Sequence, residues 1–148
     1  MNALFQLLSE HETPSLLRLM SEFYDDQHMR FDEHVARSGL QKLLADPSLG
    51  QACFIYHGAD LAGYFVLTFC FSLEFHGKFA LLDELYVRER FRGRHLGQAV
   101  IAFAESVCKQ AGVKALRLEV GRANEPAHGL YRSCGFKQDE RNLFTKWL

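Results

Sequence analysis

"LLDELYVRERFRGRHLGQAV", residues 81–100, decides how this chain folds. It opens with aliphatic and aromatic residues around an acid pair, the composition of a strand. It closes by starting an apolar series at Val100, Phe103, Ala104, Val107 and Ala111, whose period predicts a helix from Leu96 to Ala111 ended by Gly112. Between the two lie Gly93, Gly97, His95 and the arginines Arg90, Arg92 and Arg94. A strand that passes through a glycine-containing turn into a helix aims free backbone N–H groups along the positive end of the helix dipole, a seat for phosphate oxygens.

Downstream, "KALRLEV" reads as a strand, so the unit from Leu81 to Val120 is expected to be β-loop-α-β with parallel outer strands. "NEPAHGLYRSCGF" then predicts a short helix, with Asn124 as N-cap, Pro126 in the first turn and Gly135 as the stop. "FKQDERNLFTKWL" is expected to close the chain as one or two strands around a polar turn.

Upstream, "QACFIYH", the run from Leu61 to Phe75 and "FALLDELYV" are separated by the turns "GAD" and "HGK", which predicts an antiparallel meander. Before it, "ALFQLLS" reads as a first strand. "TPSLLRLMSEFYDD" follows as an amphipathic helix, with Thr13 as N-cap and Pro14 at its first position. "FDEHVARSGLQKLLAD" is a second helix with a looser apolar face of Val35, Leu40, Leu43 and Leu44. The fold class is therefore α/β (α+β): a mixed, mostly antiparallel sheet flanked by helices on both faces, in one domain over residues 1–148.

Composition narrows the function. The 148 residues carry a formal net charge of −1, so no overall basic field speaks for nucleic acid as a partner. The apolar run at 61–71 is too short to span a bilayer, and "MNALFQLLSEHETP" lacks the basic start and cleavage site of a signal peptide, so a cytoplasmic location is expected. Cys53, Cys70, Cys108 and Cys134 form no C-x-x-C pair and have no histidine at ligand spacing; buried, reduced thiols are expected, and no metal site.

The turn has no G-K-[ST] after its glycines and is not G-x-G-x-x-G, so neither the triphosphate loop nor the dinucleotide fingerprint fits. Read alone, it is either an arginine-rich surface turn or a seat for some phosphorylated ligand. Read together, "LYVRERFRGRHLGQAV" and "NEPAHGLYRSCGF" resemble the Gcn5-related N-acetyltransferase superfamily, whose signature is [QR]-x-x-G-x-[GA] followed by a downstream Asn and by a Tyr before "GF". The resemblance runs from the "GYFVLTF" strand to the C-terminus, well over half the chain.

That resemblance implies acetyl-CoA as co-substrate, with no metal. Arg92 takes the [QR] position and Gly97 the final [GA], while His95 stands where the family usually has glycine. The backbone amides of Gly93, Arg94, His95, Leu96, Gly97 and Gln98 would hold the coenzyme A pyrophosphate. If position 95 requires φ > 0, histidine carries a modest strain that glycine avoids; if it requires helical angles, the ring could reach a phosphate. Leu85 and Val87, with Tyr86 between them, would grip the pantetheine arm through their backbone and polarise the acetyl carbonyl.

Tyr131 matches the family's tyrosine, placed to protonate the departing thiolate; its alternative role is that of an amphipathic core residue. Asn124, with Ala127 in "N-x-x-A", is either a plain N-cap or a partner of the coenzyme. An acceptor amine must lose a proton before attack, and the resemblance to the polyamine branch makes Asp83 the candidate base or amine anchor, with Glu84 second. Strand alternation sends these two side chains to opposite faces, and Glu74 on the preceding hairpin could add charge to the same mouth. Otherwise each is an exposed strand acid.

The implied activity is transfer of an acetyl group to a primary amine by direct attack in a ternary complex. The acceptor would be a cationic small molecule such as a polyamine, or a peptide or protein amine. The alternative is a non-catalytic acyl-CoA sensor or scaffold of the same fold. Pairing of the C-terminal strands across a homodimer is left open by the sequence.

Overall fold

Strand-forming sequence alternates with turn residues in the first two thirds of the chain, and the computed structural model, which describes residues 3–148, turns that alternation into a sheet. Met1 and Asn2, part of the segment read for a signal peptide, lie outside the described residues. β1 (Ala3–Leu7), β2 (Gly50–His57), β3 (Asp60–Ser72) and β4 (Gly77–Val87) follow one another antiparallel, and β5 (Leu116–Arg117) joins β4 in parallel, in the order β1-β2-β3-β4-β5. The meander and the parallel crossover are as expected.

Helices α1 (Thr13–Asp26) and α2 (Glu33–Ala45) cover one face. Leu16, Leu17, Leu19 and Met20 of α1 pack with Phe54, Tyr64 and Val66 of the sheet. The start of α1 differs in detail: a 3-10 turn over Glu10–Glu12 precedes it, Ser9 and Glu12 form a capping box, and Thr13 is the buried first residue of the helix rather than its cap. Asp32 caps α2 by accepting from the Val35 N–H, and only Leu40 of its apolar series is buried, with Val35 left exposed.

The other face is covered by α3 (Leu96–Gln110) and α4 (Glu125–Ser133). Phe65, Leu67 and Leu82 of the sheet meet Leu96, Val100, Ile101 and Ala104 of α3, with Leu130 and Tyr131 of α4 at the margin. Full burial of a side chain such as Phe65 stabilises by roughly 1.5–3 kcal/mol, so these two apolar layers set the fold. Cys53 and Cys108 are buried, Cys70 and Cys134 half-buried, and all four are free thiols.

Two expectations are corrected. "KALRLEV" pairs with β4 over two residues only, because the chain diverges from β4 after Arg117. Residues 136–148 form no strand: Phe136 is half-buried beside α4, residues 137–148 are exposed, and no ladder lies beside them among the described residues. No helix is long and apolar enough to cross a membrane, among the residues described.

Candidate active site

The site begins with a miscount in the sheet. β3 and β4 pair at ten positions, from Gly63↔Val87 to Ser72↔Gly77, but Val66 faces Glu84 while Leu67 faces Leu82, so Asp83 has no partner. It is the extra residue of a β-bulge. Before the bulge the Ala80 N–H donates to the Ala115 carbonyl at 2.9 Å, away from β3; after it the Arg88 N–H donates to the Ala62 carbonyl at 2.8 Å, towards β3. Backbone groups alternate sides along a strand, so counting back from Arg88 puts the N–H groups of Leu85 and Val87 on the side away from β3. β5 has already ended there. That edge of β4 is open.

The open half also comes unusually close to its neighbour. A Cβ on Gly63, opposite Val87, would lie 1.9 Å from the Tyr86 carbonyl oxygen, so only glycine fits. The Val87 carbonyl accepts from Arg92 Nε at 2.9 Å, and the same guanidinium reaches Asp26 of α1 at 3.4 Å. Arg92 thus ties the turn to the end of β4 and to α1.

The turn itself is held by Phe91, buried against the α3 face, with the guanidinium groups of Arg90 and Arg94 at 4.8 and 5.9 Å from its ring. Gly93 and His95 have φ of 74° and 61°, with Arg94 between them outside the positive-φ region. Alternation of this kind curls successive N–H groups around a common point, an anion-binding nest at the start of α3. Position 95 therefore requires the left-handed conformation, and histidine occupies it. The other two non-glycine residues in that conformation are also histidines, His28 and His76, in keeping with the tolerance of His for this region.

Gly97 brings the helices together: a Cβ there would meet Leu130 Cδ2 at 2.7 Å, so its absence lets α4 lie against the first turn of α3. The next residue on α4 is Tyr131, half-buried and edge-to-face with Phe136 at 5.8 Å. Burial raises its pKa, and Cys134 adds to the effect, so the phenol is held as a proton donor. The Asn124 side chain accepts from the Ala127 N–H at 3.3 Å and caps α4.

Of the acids, Glu84 sits on the α1 face, where Tyr24 and Tyr64 donate their hydroxyls to its two oxygens at 2.6 and 2.7 Å. Burial raises the carboxyl's pKa; the two tyrosine hydrogen bonds pull it back, and Asp83 pushes it up again. Asp83 is exposed, yet protein packed around its carboxyl raises its pKa, and the charge of Glu119 beyond β5 reinforces this. Glu74 does not join them. It lies at the far end of the β3–β4 hairpin, roughly 20 Å of strand from Asp83, and pairs with Arg141 at 2.8 Å.

Sequence reasoning missed Tyr24 and Tyr64, and missed the bidentate pair of Arg88 with Glu22 at 2.9 and 2.8 Å, to which the Tyr86 hydroxyl donates at 3.3 Å. The Arg88 hydrogen bonds hold Glu22 below the usual carboxylate range. These contacts join residues 20 to 66 apart in sequence, for which no local pattern exists. Among the described residues there is no cluster of three or more metal-ligating side chains.

Several known proteins are similar to this chain. An aminoalkylphosphonate N-acetyltransferase of Salmonella typhimurium strain LT2 is 28% identical over 137 residues, spanning 93% of this chain and 86% of its own. An aminoglycoside N(6')-acetyltransferase type 1 of Stenotrophomonas maltophilia is 28% identical over 65 residues, 44% of this chain and 42% of its own. The crystal structure of an integron cassette protein from the mobile metagenome of Cole Harbour Salt Marsh superposes with a TM-score of 0.86 at 33% identity, covering 97% of this chain and 90% of that one. The model of the acetyltransferase (GNAT) family matches residues 10–136. With an open β4 edge, a nest at the head of α3 and this match over most of its length, the chain belongs to the acetyltransferase (GNAT) family and is an acyltransferase.

Proposed function

We propose that this enzyme transfers the acetyl group of acetyl-CoA to the primary amine of a small cationic acceptor within a ternary complex. The observation that carries the reading is the bulge at Asp83, which leaves the Leu85 and Val87 N–H groups unpaired beside the nest of residues 93–98. The nest suits a pyrophosphate, with Arg90 and Arg94 held at its side by Phe91. The Leu85 and Val87 N–H groups suit the pantetheine arm and the thioester carbonyl. Acetyl-CoA supplies the activated acyl group; the chain's own residues orient it, exclude water and move protons.

Tyr131, kept protonated by burial, is suited to give a proton to the leaving sulfur. Asp83, exposed at the open edge, is suited to take the proton of the acceptor ammonium, directly or through water. Glu84 has both oxygens engaged by tyrosines and is better suited to fixing the amine by charge. The relatives' names specify an aminoalkylphosphonate, an aminoglycoside and the alanine of a ribosomal protein; the first, matched over 93% of this chain, favours a small amine, and the acids at 83, 84 and 119 favour a cationic one.

The test is release of free thiol from acetyl-CoA in the presence of aminoalkylphosphonates, aminoglycosides, polyamines and an N-terminal peptide. Turnover above background with a small amine is expected. Turnover with the peptide alone, or with no acyl-CoA thioester, would overturn the reading.

A further inference from the structure

The end of α1 is weak by its own sequence. Asp25 and Asp26 stand in its last turn, against the negative end of the helix dipole, and no basic residue in that turn offsets them. The helix closes in a Schellman cap, in which the His28 N–H donates to the Asp25 carbonyl at 3.0 Å and the Met29 N–H to the Tyr24 carbonyl at 2.8 Å. Position 28, where such a cap favours glycine, is held by histidine at φ 56°. Taken alone, this end should fray.

Three side-chain ties hold it to the open half of β4 and to the turn that follows. Glu22 accepts from Arg88 with both oxygens, at 2.8 and 2.9 Å, and the same guanidinium donates to the Leu61 carbonyl of β3 at 3.2 Å. Tyr24 donates to Glu84 at 2.6 Å, and Asp26 accepts from Arg92 at 3.4 Å. Glu22 and Asp26 lie one turn apart on one face of α1; Arg88 and Arg92 lie on either side of the 3-10 turn at Glu89–Phe91 that leads into the nest. A lone exposed pair contributes little, but a bidentate pair with two further ties inside one helical turn acts as a unit.

Arg92 is the junction. A strand residue's carbonyl faces the same side as its N–H, so Arg92 Nε reaches the Val87 carbonyl along the open edge, beside the Val87 N–H. Its backbone runs directly into Gly93, where the nest begins. One residue therefore meets the acyl edge, the entry of the nest and α1.

We propose, resting on residues 93–98 as the pyrophosphate seat, that Asp26 and Glu22 are positioning residues: through Arg92 and Arg88 they join the end of α1, with Tyr24 and its partner Glu84, to the nest and the open edge as one unit. Coenzyme A seated in the nest fixes the two arginines, and these steady the turn of α1 that holds Glu84. The two states are a latched and a frayed end of α1, and the ligand favours the latched one because only that state engages both arginines.

Amide hydrogen exchange resolved by residue, on the full chain with and without saturating coenzyme A, tests this. In the wild type coenzyme A should slow exchange at Leu96, Gly97 and Gln98, and also at Gln27, His28 and Met29 by at least about fivefold. Asp26→Asn should keep the protection at 96–98 and lose most of that at 27–29, with Glu22→Gln in addition removing the rest. Asp26→Glu, which restores the charge opposite Arg92, should recover it. Three results would overturn the proposal and leave the pyrophosphate seat standing: protection at 96–98 with 27–29 unchanged in the wild type, ligand-dependent protection of 27–29 that survives in the double variant, or exchange there that quickens equally with and without coenzyme A, the mark of a merely structural pair. Protection at neither segment would remove the seat and the proposal together.

Discussion

The two halves of β4 are built from similar residues and do opposite things. From Gly77 to Leu82 the strand is paired with β3 throughout and with β5 at Ala80 and Leu81; from Leu85 to Val87 it is paired on one side only and its outer N–H groups are free. What separates them is Asp83 and the early end of β5. An active-site edge here is a sheet that stops being a sheet at one residue, and side-chain chemistry is secondary to that interruption.

The comparison breaks most completely if β4 cannot approach β3. Gly63→Ala sets a Cβ against the Tyr86 backbone, which cannot yield as a side chain would, and a loss of at least about 3 kcal/mol in urea unfolding is expected. Gly97→Ala, by contrast, meets only the tip of Leu130 and should cost far less.

Next in size, Tyr131→Phe should lower kcat by about 100-fold with little change in acetyl-CoA affinity by calorimetry. An unchanged kcat would show that the open half works without a proton donor from α4.

A subtler pair decides which acid serves the open half. With Asp83 as base, the acidic limb of the kcat/KM profile lies above the ordinary carboxylate range. Glu119→Gln removes a like charge and moves that limb to lower pH. With Glu84 as base, Glu119→Gln leaves the limb in place, while Tyr24→Phe removes a hydrogen bond to the carboxylate and moves it to higher pH.

Stability should follow the opposite preference. The Glu84 pKa is raised in the folded protein, so its contribution is greatest below the unfolded carboxyl pKa and is lost as pH rises through the folded value. Glu84→Gln removes that loss, and thermal melts from pH 4 to 8 should show the variant gaining on the wild type towards neutral pH.

The smallest effect belongs to His95→Gly. Relief of left-handed strain, about 1–2 kcal/mol, is largely offset by the extra chain entropy of glycine, about 0.5–1 kcal/mol, so a change within about 1 kcal/mol is expected. His95→Val should be clearly worse.

Much of this was legible beforehand. Period and turn residues gave the meander, α3 and α4 within a residue or two, because burial on one face writes itself into a single local pattern. The nest was legible as a glycine-bearing strand-to-helix turn, though whether position 95 was left-handed was not, since histidine tolerates both. The bulge at Asp83 carried no glycine or proline to mark it. Tyr24 carried no local signal within α1, because its partner Glu84 is 60 positions away. The closing segment was read as strands on composition alone, which reports what a segment could pair with and not whether a neighbour is there.

The bulge has one more consequence. β4 spends eleven residues against ten partners on β3, so the mouth is a matter of arithmetic. Give β3 one more residue opposite Asp83 and the count would balance: with Ala80 still facing β5, alternation would turn the Leu85 and Val87 N–H groups towards β3 and seal the edge. Replace the side chain at 83 and the count is untouched. The cleft is thus sensitive to length and indifferent to lettering, and a lineage could retune the acceptor chemistry at this position without rebuilding the cavity.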